Sequence, residues 1–228
     1  MKLAVYQREG RSGSVEGSLA AMRDTAAVAA ARVALLCGYP EWNGKKVYNS
    51  ALLVNPAGGV IANYRETHLY GGQENRVFKP GDPLVVADLD GLKIGILICY
   101  DMEFPEAVRA RTVAGAELIA VPTALMEPFS LVARTVVPAR AYESQLYVAY
   151  IDLCGREGNH TCCGLSCIVG PNGEDLERAG KGDEILIADI DPVAVAAVRK
   201  SNPNLPNRRP NLYAAPVKIN PLGKQDKP

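Results

Sequence analysis

The sequence predicts a mixed α+β fold, and three features carry that expectation. The stretch Gly91 to Glu106 reads Gly-Leu-Lys-Ile-Gly-Ile-Leu-Ile-Cys-Tyr-Asp-Met-Glu-Phe-Pro-Glu. Its first half, Leu92 to Ile98, is a nearly continuous apolar run with β-branched residues, which suits a strand buried on both faces, and Glu106 to Gly115 then takes up helical spacing. Val33 to Tyr64 holds short strands in succession joined by tight turns, the mark of an antiparallel meander. Helical stretches and apolar strands follow elsewhere, which places the meander inside a larger α+β arrangement.

In chain order, Leu3 to Gln7 is a first strand and Gly10 to Gly17 a polar loop. Ser18 caps a helix from Leu19 to about Ala31, favoured by its many alanines. Val33 to Cys37 is a second strand, ending in Gly38-Tyr39-Pro40-Glu41. Asn43-Gly44 is a hairpin signal, after which Tyr48 to Asn55 returns as a third strand; Pro56-Ala57-Gly58-Gly59 turns the chain again into Val60 to Tyr64. Arg65 to Asp82 reads as loop, with Gly71-Gly72 and Lys79-Pro80-Gly81-Asp82 as breakers. Leu84 to Asp88 is a short strand before the central one. Beyond the helix come a strand at Leu118 to Val121, helical spacing from Leu131 to Leu146, and an apolar strand at Tyr147 to Ile151. Cys154 to Gly164 reads as loop, and Ser166 to Val169 and Ile185 to Ile190 as strands. Asp191-Pro192 opens a last helix, since proline fits the first turn and aspartate the dipole there. From Ser201 the chain is rich in Pro and Asn and is expected to be an extended arm. With no repeat or break in composition, residues 1–216 are expected to form a single domain, followed by a tail at 217–228.

Composition narrows the function. The 228 residues, 48% hydrophobic and 22% charged, can bury a sizeable core. Lys+Arg and Asp+Glu both number 25, so no long-range field would attract nucleic acid or an anionic membrane. The start lacks the zones of a secretory signal, and no apolar run reaches the ~18 residues of a spanning helix. A cytoplasmic protein with its 6 cysteines reduced is therefore expected.

Cys99 lies between the central strand and the following helix. A thiol there is held rigidly, faces the positive end of the helix dipole and can open into a cleft, which makes it a candidate nucleophile. The competing reading is a small buried hydrophobe. The run Leu97 to Glu106 favours the first, because it resembles the cysteine elbow of the nitrilase, or carbon-nitrogen hydrolase, superfamily, especially its amidase branch. Tyr48-Asn49-Ser50 with Asn55 to Gly58, Asn63 to Leu69, Phe78 to Asp82, Val121 to Ala124, Pro138 to Glu143, Gly164 to Ser166 and Arg208 to Tyr213 are similar to that family's blocks, in its order.

The resemblance implies an α-β-β-α sandwich that associates into homodimers or larger homo-oligomers. It also implies hydrolysis of a small non-peptide amide through a cysteine acyl-enzyme, without metal or organic cofactor. Three groups share that chemistry in the family: a cysteine nucleophile, a glutamate that takes and returns its proton, and a lysine that stabilises the oxyanion. This chain departs from the pattern at both supporting positions.

Where the family has lysine in Tyr-Arg-Lys-Thr-His-Leu, this chain reads Tyr64-Arg65-Glu66-Thr67-His68-Leu69. A carboxylate at 66 removes an oxyanion donor, typically worth ~10²–10³ in rate, and opposes thiolate formation at Cys99. Lys45, Lys46 and Lys79 are the nearby replacements to weigh, the first two in a hairpin and the third in a loop. The usual base is absent because Ala26 to Ala31 runs directly into the strand ending at Glu41; a unit of about 30 residues, one strand and helix, is missing from the pattern. Glu41 also ends a Pro-Glu strand, so it could substitute as the base if that strand moves beside the first one. Glu74 matches a second glutamate kept near the family's site, and Tyr100, Thr123 and Ala124 match pocket positions. Cys154, His160, Cys162, Cys163 and Cys167 lack a paired ligand spacing, so no metal is expected. Two readings remain: a Cys99 amide hydrolase with weakened support, or a catalytically inactive relative acting as a binding or assembly subunit.

Overall fold

The computed structural model describes residues 1–9 and 33–214. Strand β1 (Lys2–Glu9) is followed by β2 (Leu35–Trp42), β3 (Val47–Val54) and β4 (Val60–Arg65), then helix α1 (Gly71–Val77), β5 (Val86–Leu89) and β6 (Leu92–Ile96). A 3-10 turn at Cys99–Glu103 leads into α2 (Pro105–Val113) and β7 (Leu118–Pro122), and a π turn at Val132–Val136 into α3 (Val137–Ser144). Strands β8 (Tyr147–Ile151), β9 (Leu153–Glu157), β10 (His160–Cys163), β11 (Cys167–Val169), β12 (Asp175–Arg178) and β13 (Glu184–Asp189) precede α4 (Pro192–Ser201) and α5 (Pro210–Tyr213).

A six-stranded sheet of order β12-β11-β8-β7-β6-β5 forms the centre. Its inner strands β6, β7 and β8 run parallel, and their apolar sequences reflect burial on both faces. Alternate residues point to opposite sides. Ile94, Ile96, Leu118, Ala120 and Ala149 pack on two smaller sheets through Val5, Leu53, Tyr64 and Leu186. Ile119, Val121 and Val148 pack on the other side against Val108 of α2 and Val137 and Ala141 of α3. The smaller sheets are β10-β9-β1-β13 and the antiparallel meander β2-β3-β4. The result is the mixed α+β layering expected. The helix expected at 19–31, the loop at 10–17 and the tail at 217–228 lie outside the described residues.

Several segments differ from expectation. Within the stretch read as loop, α1 forms, but it has no buried residue and so shows no apolar periodicity. The loop expected at 154–164 contains the hairpin β9–β10, in which Cys154 faces Cys163 and Arg156 faces Thr161. Strand β2 extends to Trp42 rather than ending at Cys37, and Pro40 is tolerated because β2 lies at a sheet edge. Mostly exposed β12 escaped the apolar pattern altogether. The arm after Ser201 contains the short helix α5. Among the described residues, no helix is long and apolar enough to cross a membrane.

The parallel pairing of β6 and β7 brings their C-terminal ends to the same edge, with Ile96 opposite Ala120. The segment after α1 closes over the end of β4: the N–H of Lys79 donates to the Val47 carbonyl at 2.9 Å and that of Gly81 to the Glu66 carbonyl at 2.8 Å. A Cβ on Gly81 would stand 2.5 Å from the carbonyl oxygen of Arg65. Gly81→Ala is therefore expected to destabilise the fold by about 1–3 kcal/mol through overpacking. Urea denaturation measures this, and an unchanged midpoint would contradict the close approach.

Candidate active site

Cys99 begins the 3-10 turn directly beyond the central strand. Its φ of +42° lies in the left-handed region, which a residue with a Cβ rarely adopts. The turn is closed by the Asp101 N–H donating to the Ile98 carbonyl at 3.0 Å. The N–H of Ile98 in turn donates to Asp101 Oδ2 at 3.2 Å. The sharp reversal lifts the cysteine off the strand, and its residue stays partly exposed while its neighbours Ile98 and Asp101 are buried. The Thr123 hydroxyl and the Ala124 N–H reach the sulfur from the end of β7. Burial pushes the thiol up to about 12; the Thr123 and Ala124 bonds oppose that rise, while Glu66 and Glu74 add to it.

The side chain that assembles the site is Asp101, which is fully buried. It accepts from the Tyr64 hydroxyl at 2.6 Å, the Thr67 hydroxyl at 2.7 Å and the His68 N–H at 3.0 Å, and it pairs with His68 Nδ1 at 2.7 Å. The chain leaving β4 is thereby fastened to the elbow. Beneath it, the Arg111 guanidinium lies 4.9 Å from the Tyr64 ring centroid. Its Nε donates to the Ile96 carbonyl at 2.7 Å, and its Nη1 to the Ala107 carbonyl at 2.9 Å. His68 stacks on Phe104 with 3.9 Å between ring centroids.

This fastening carries Glu66 into the interior, where it is only 1% exposed. Asn49 Nδ2 donates to its Oε2 at 2.8 Å, and the Tyr100 N–H approaches the same carboxyl. Oε1 is buried with no hydrogen-bond partner among the described residues. Burial, reinforced by Glu74 and Asp101, pushes this carboxyl up to about 9. The expectation of a charged carboxylate at 66 is corrected accordingly: at neutral pH the group carries its proton, because water is excluded and other acids surround it.

Glu74 projects from α1 and is partly buried. Its Oε2 accepts from the Tyr70 N–H at 2.7 Å, and burial raises it above the ordinary carboxylate range. Thr123 and Ala124 thus contact the Cys99 sulfur, and Glu66 and Glu74 act on it electrostatically. Tyr100 is partly exposed and packs edge-on to Tyr70 and Phe104, with centroids 5.2 and 5.0 Å apart. Phe129 extends this aromatic lip, 6.2 Å from Tyr70. A cleft of about 370 Å³ adjoins the site at Gln73 and Ala124 and is bordered by Met126, Glu157, Asn159 and His160.

Glu41 does not take the role considered for it. Strand β2 pairs with β3, Glu41 lying opposite Tyr48, and does not lie beside β1. The carboxylate accepts from Arg65 Nε at 2.9 Å, Ser50 Oγ at 2.8 Å and Asn63 Nδ2 at 2.9 Å. The Arg65 bond, helped by Asn63 and Ser50, holds it down to about 2, so it is a poor proton acceptor. The hairpin with β3 and the ion pair with Arg65 explain why it stays there. Lys45, Lys46 and Lys79 are exposed. The four cysteines 154, 162, 163 and 167 are buried, His160 is exposed, and among the described residues no group of three or more His, Cys, Asp or Glu could hold a metal ion.

Sequence reasoning did not single out Asp101 as the organising residue or Asn49 as the partner of Glu66. An acid two places after the elbow cysteine, in a turn flanked by apolar residues, was the available signal for the first. Asn49 stood in the Tyr48-Asn49-Ser50 block, but its contact with Glu66 depends on the pairing of β3 with β4.

Residues 15–200 match the carbon-nitrogen hydrolase family. A Pseudomonas protegens protein named "Hydrolase in pqqF 5'region" is 41% identical over 206 residues, 90% of this chain and 72% of that one. An (R)-stereoselective amidase from Pseudomonas sp is 35% identical over 178 residues, 78% of this chain and 64% of the relative. A mutant amidase from Nesterenkonia sp. AN1, carrying the acetamide moiety of fluoroacetamide added covalently at its active-site cysteine, superposes with a TM-score of 0.82 at 30% identity, covering 93% of this chain and 95% of that one. With its layered sheets and its elbow cysteine, this chain belongs to the carbon-nitrogen hydrolase family.

Proposed function

We propose that the chain hydrolyses a small non-peptide amide through a thioester on Cys99, with Glu74 as proton carrier, and that it does so slowly. One arrangement supports this reading above the rest: a strained cysteine whose sulfur meets Thr123 and Ala124, near two carboxyls of unequal burial. Carboxyls in different environments divide acid and base roles. Glu74, the more exposed of the two, takes the thiol proton as sulfur attacks the amide carbon and the carbonyl π pair moves to oxygen. Collapse restores the carbonyl and breaks the C–N bond, and the amine leaves with the proton from Glu74. Water then attacks the thioester, delivering its proton through Glu74, and the acid departs as the thiol re-forms. The sum is amide plus water to acid plus amine. The aromatic lip of Tyr70, Tyr100 and Phe129 suits the apolar part of such a substrate.

Slow turnover follows from the chemistry of the parts. The thiol rests fully protonated, and Glu41 is tied to Arg65. Along Lys2–Gln7 the edge of β1 opposite β13 pairs with no described strand, and β2 ends its own sheet, which supports the reading that a strand-helix unit of the family pattern is absent. The same two observations favour the second reading, an inactive relative that serves as a binding or assembly subunit.

Ammonia release from short aliphatic amides decides between them. Slow release that disappears in Cys99→Ala, and falls by ~10²–10⁴ in Glu74→Gln, is the expected result. Release that survives Cys99→Ala, or no release from any amide by the intact protein, sinks the hydrolase reading.

The protonation of Glu66 also has a consequence for stability. Its folded-state pKa of about 9 exceeds the ordinary 4.5, so its contribution is complete below about pH 4.5. Above that pH the unfolded chain releases the proton first, and stability falls until the folded group titrates. Buried Asp152, pushed up by desolvation to about 8, acts in the same direction. Thermal midpoints are expected to decline from about pH 5 to about pH 9, with a shallower decline in Glu66→Gln. Equal slopes for the two proteins would show Glu66 to be ionised in the native state.

A further inference from the structure

Glu66 has a feature that the proposed reaction has not used. Its carboxyl sits at the elbow, with the N–H of Tyr100, the residue after the nucleophile, directed at it. Oε2 is taken by Asn49, so a proton on this carboxyl resides on Oε1, the buried oxygen without an acceptor among the described residues. A buried O–H with nothing to donate to is costly, and the cost is relieved by any oxygen placed against it. The oxygen of an adduct on Cys99 is such an acceptor, because Asp101, two residues past the nucleophile, holds the segment that carries Glu66 against the elbow through Thr67 and His68.

Resting on the hydrolase reading above, we infer that Glu66 in its acid form is the hydrogen-bond donor that holds the oxygen of tetrahedral adducts at Cys99. A neutral carboxylic acid can do this where water is excluded, and its strength there matches that of other fixed donors. Asn49 keeps the acid turned in one direction, and Asp101 keeps its loop on the elbow. The burial that keeps Glu66 protonated is reinforced by Glu74 from α1 and Asp101 from the elbow turn. Asp101 itself is faced by Tyr64, His68 and, behind Tyr64, Arg111.

The test separates adduct formation from turnover. Butyraldehyde adds the Cys99 sulfur to its carbonyl carbon, the C=O π bond opens, and the thiol proton ends on the oxygen, so a thiohemiacetal forms without oxidant or reductant. Its affinity is read as protection of Cys99 from iodoacetamide, with peptide mapping distinguishing Cys99 from the other cysteines. Alkylation displaces iodide without developing charge on oxygen, so it reports the thiol alone.

Glu66→Met, which keeps the bulk and removes the donor, is expected to weaken butyraldehyde protection by ~10²-fold without slowing alkylation. Glu66→Gln keeps an N–H donor and is expected to stay within about tenfold of the intact protein. Protection in the intact protein should fade above about pH 9, where the donor proton is lost, and should not fade in Glu66→Gln. Should Glu66→Met fail to fold, this pH comparison still decides the matter. Equal or tighter protection in Glu66→Met overturns the inference, as does a Cys99 that is alkylated but forms no adduct; both leave the hydrolase reading to the ammonia assay. A Cys99 that reacts with neither probe overturns both.

Discussion

The site depends on a single buried carboxylate. Asp101 is sealed from water, and a charge in that position is tolerable only where donors replace its hydration. Tyr64, Thr67, His68 and Ile98 supply them. Arg111, equally buried, provides the balancing cation across the Tyr64 ring. Because these donors come from the end of β4, from the loop after it and from the central strand, satisfying one acid joins both layers of the sandwich. Glu66 and the elbow are therefore fixed to one another.

From that joint the electrostatics follow. Cys99 receives no benefit from the charges brought to it, since burial and two nearby acids all favour the thiol over the thiolate. A cysteine in such surroundings is a nucleophile only if its proton leaves as the bond forms. This places the demand on a base that can accept transiently, and on whatever holds the developing negative oxygen. Glu74 belongs to an exposed helix and Glu66 to a buried loop, so their carboxyls differ in access to water.

Much of the architecture was legible in the sequence because it is local. The nearly continuous apolar runs at Leu92 and Tyr147 suited buried strands, Asn43-Gly44 announced its hairpin, and the elbow was plain from the sharp change at Cys99. The chemistry of the site was less legible because it is long-range. Nothing near position 66 in the sequence states that Asn49, Glu74 and Asp101 will surround it, and so its protonation could not be read. Glu41 shows the same limit: its partner Arg65 lies 24 residues away and is met only when β2, β3 and β4 pair. Helix α1 was missed because it buries no residue and leaves no periodic trace, and the hairpin β9–β10 because its glycines and polar residues interrupt the buried cysteines.

The left-handed backbone at Cys99 bears on how such a chain drifts over generations. Holding a side-chain-bearing residue there costs on the order of 1–3 kcal/mol, whereas glycine adopts the same conformation without strain. Cysteine and glycine codons differ by one base, so release from that cost is always a single mutation away. Keeping sulfur at this position is thus a standing expense that the packing of the fold does not require.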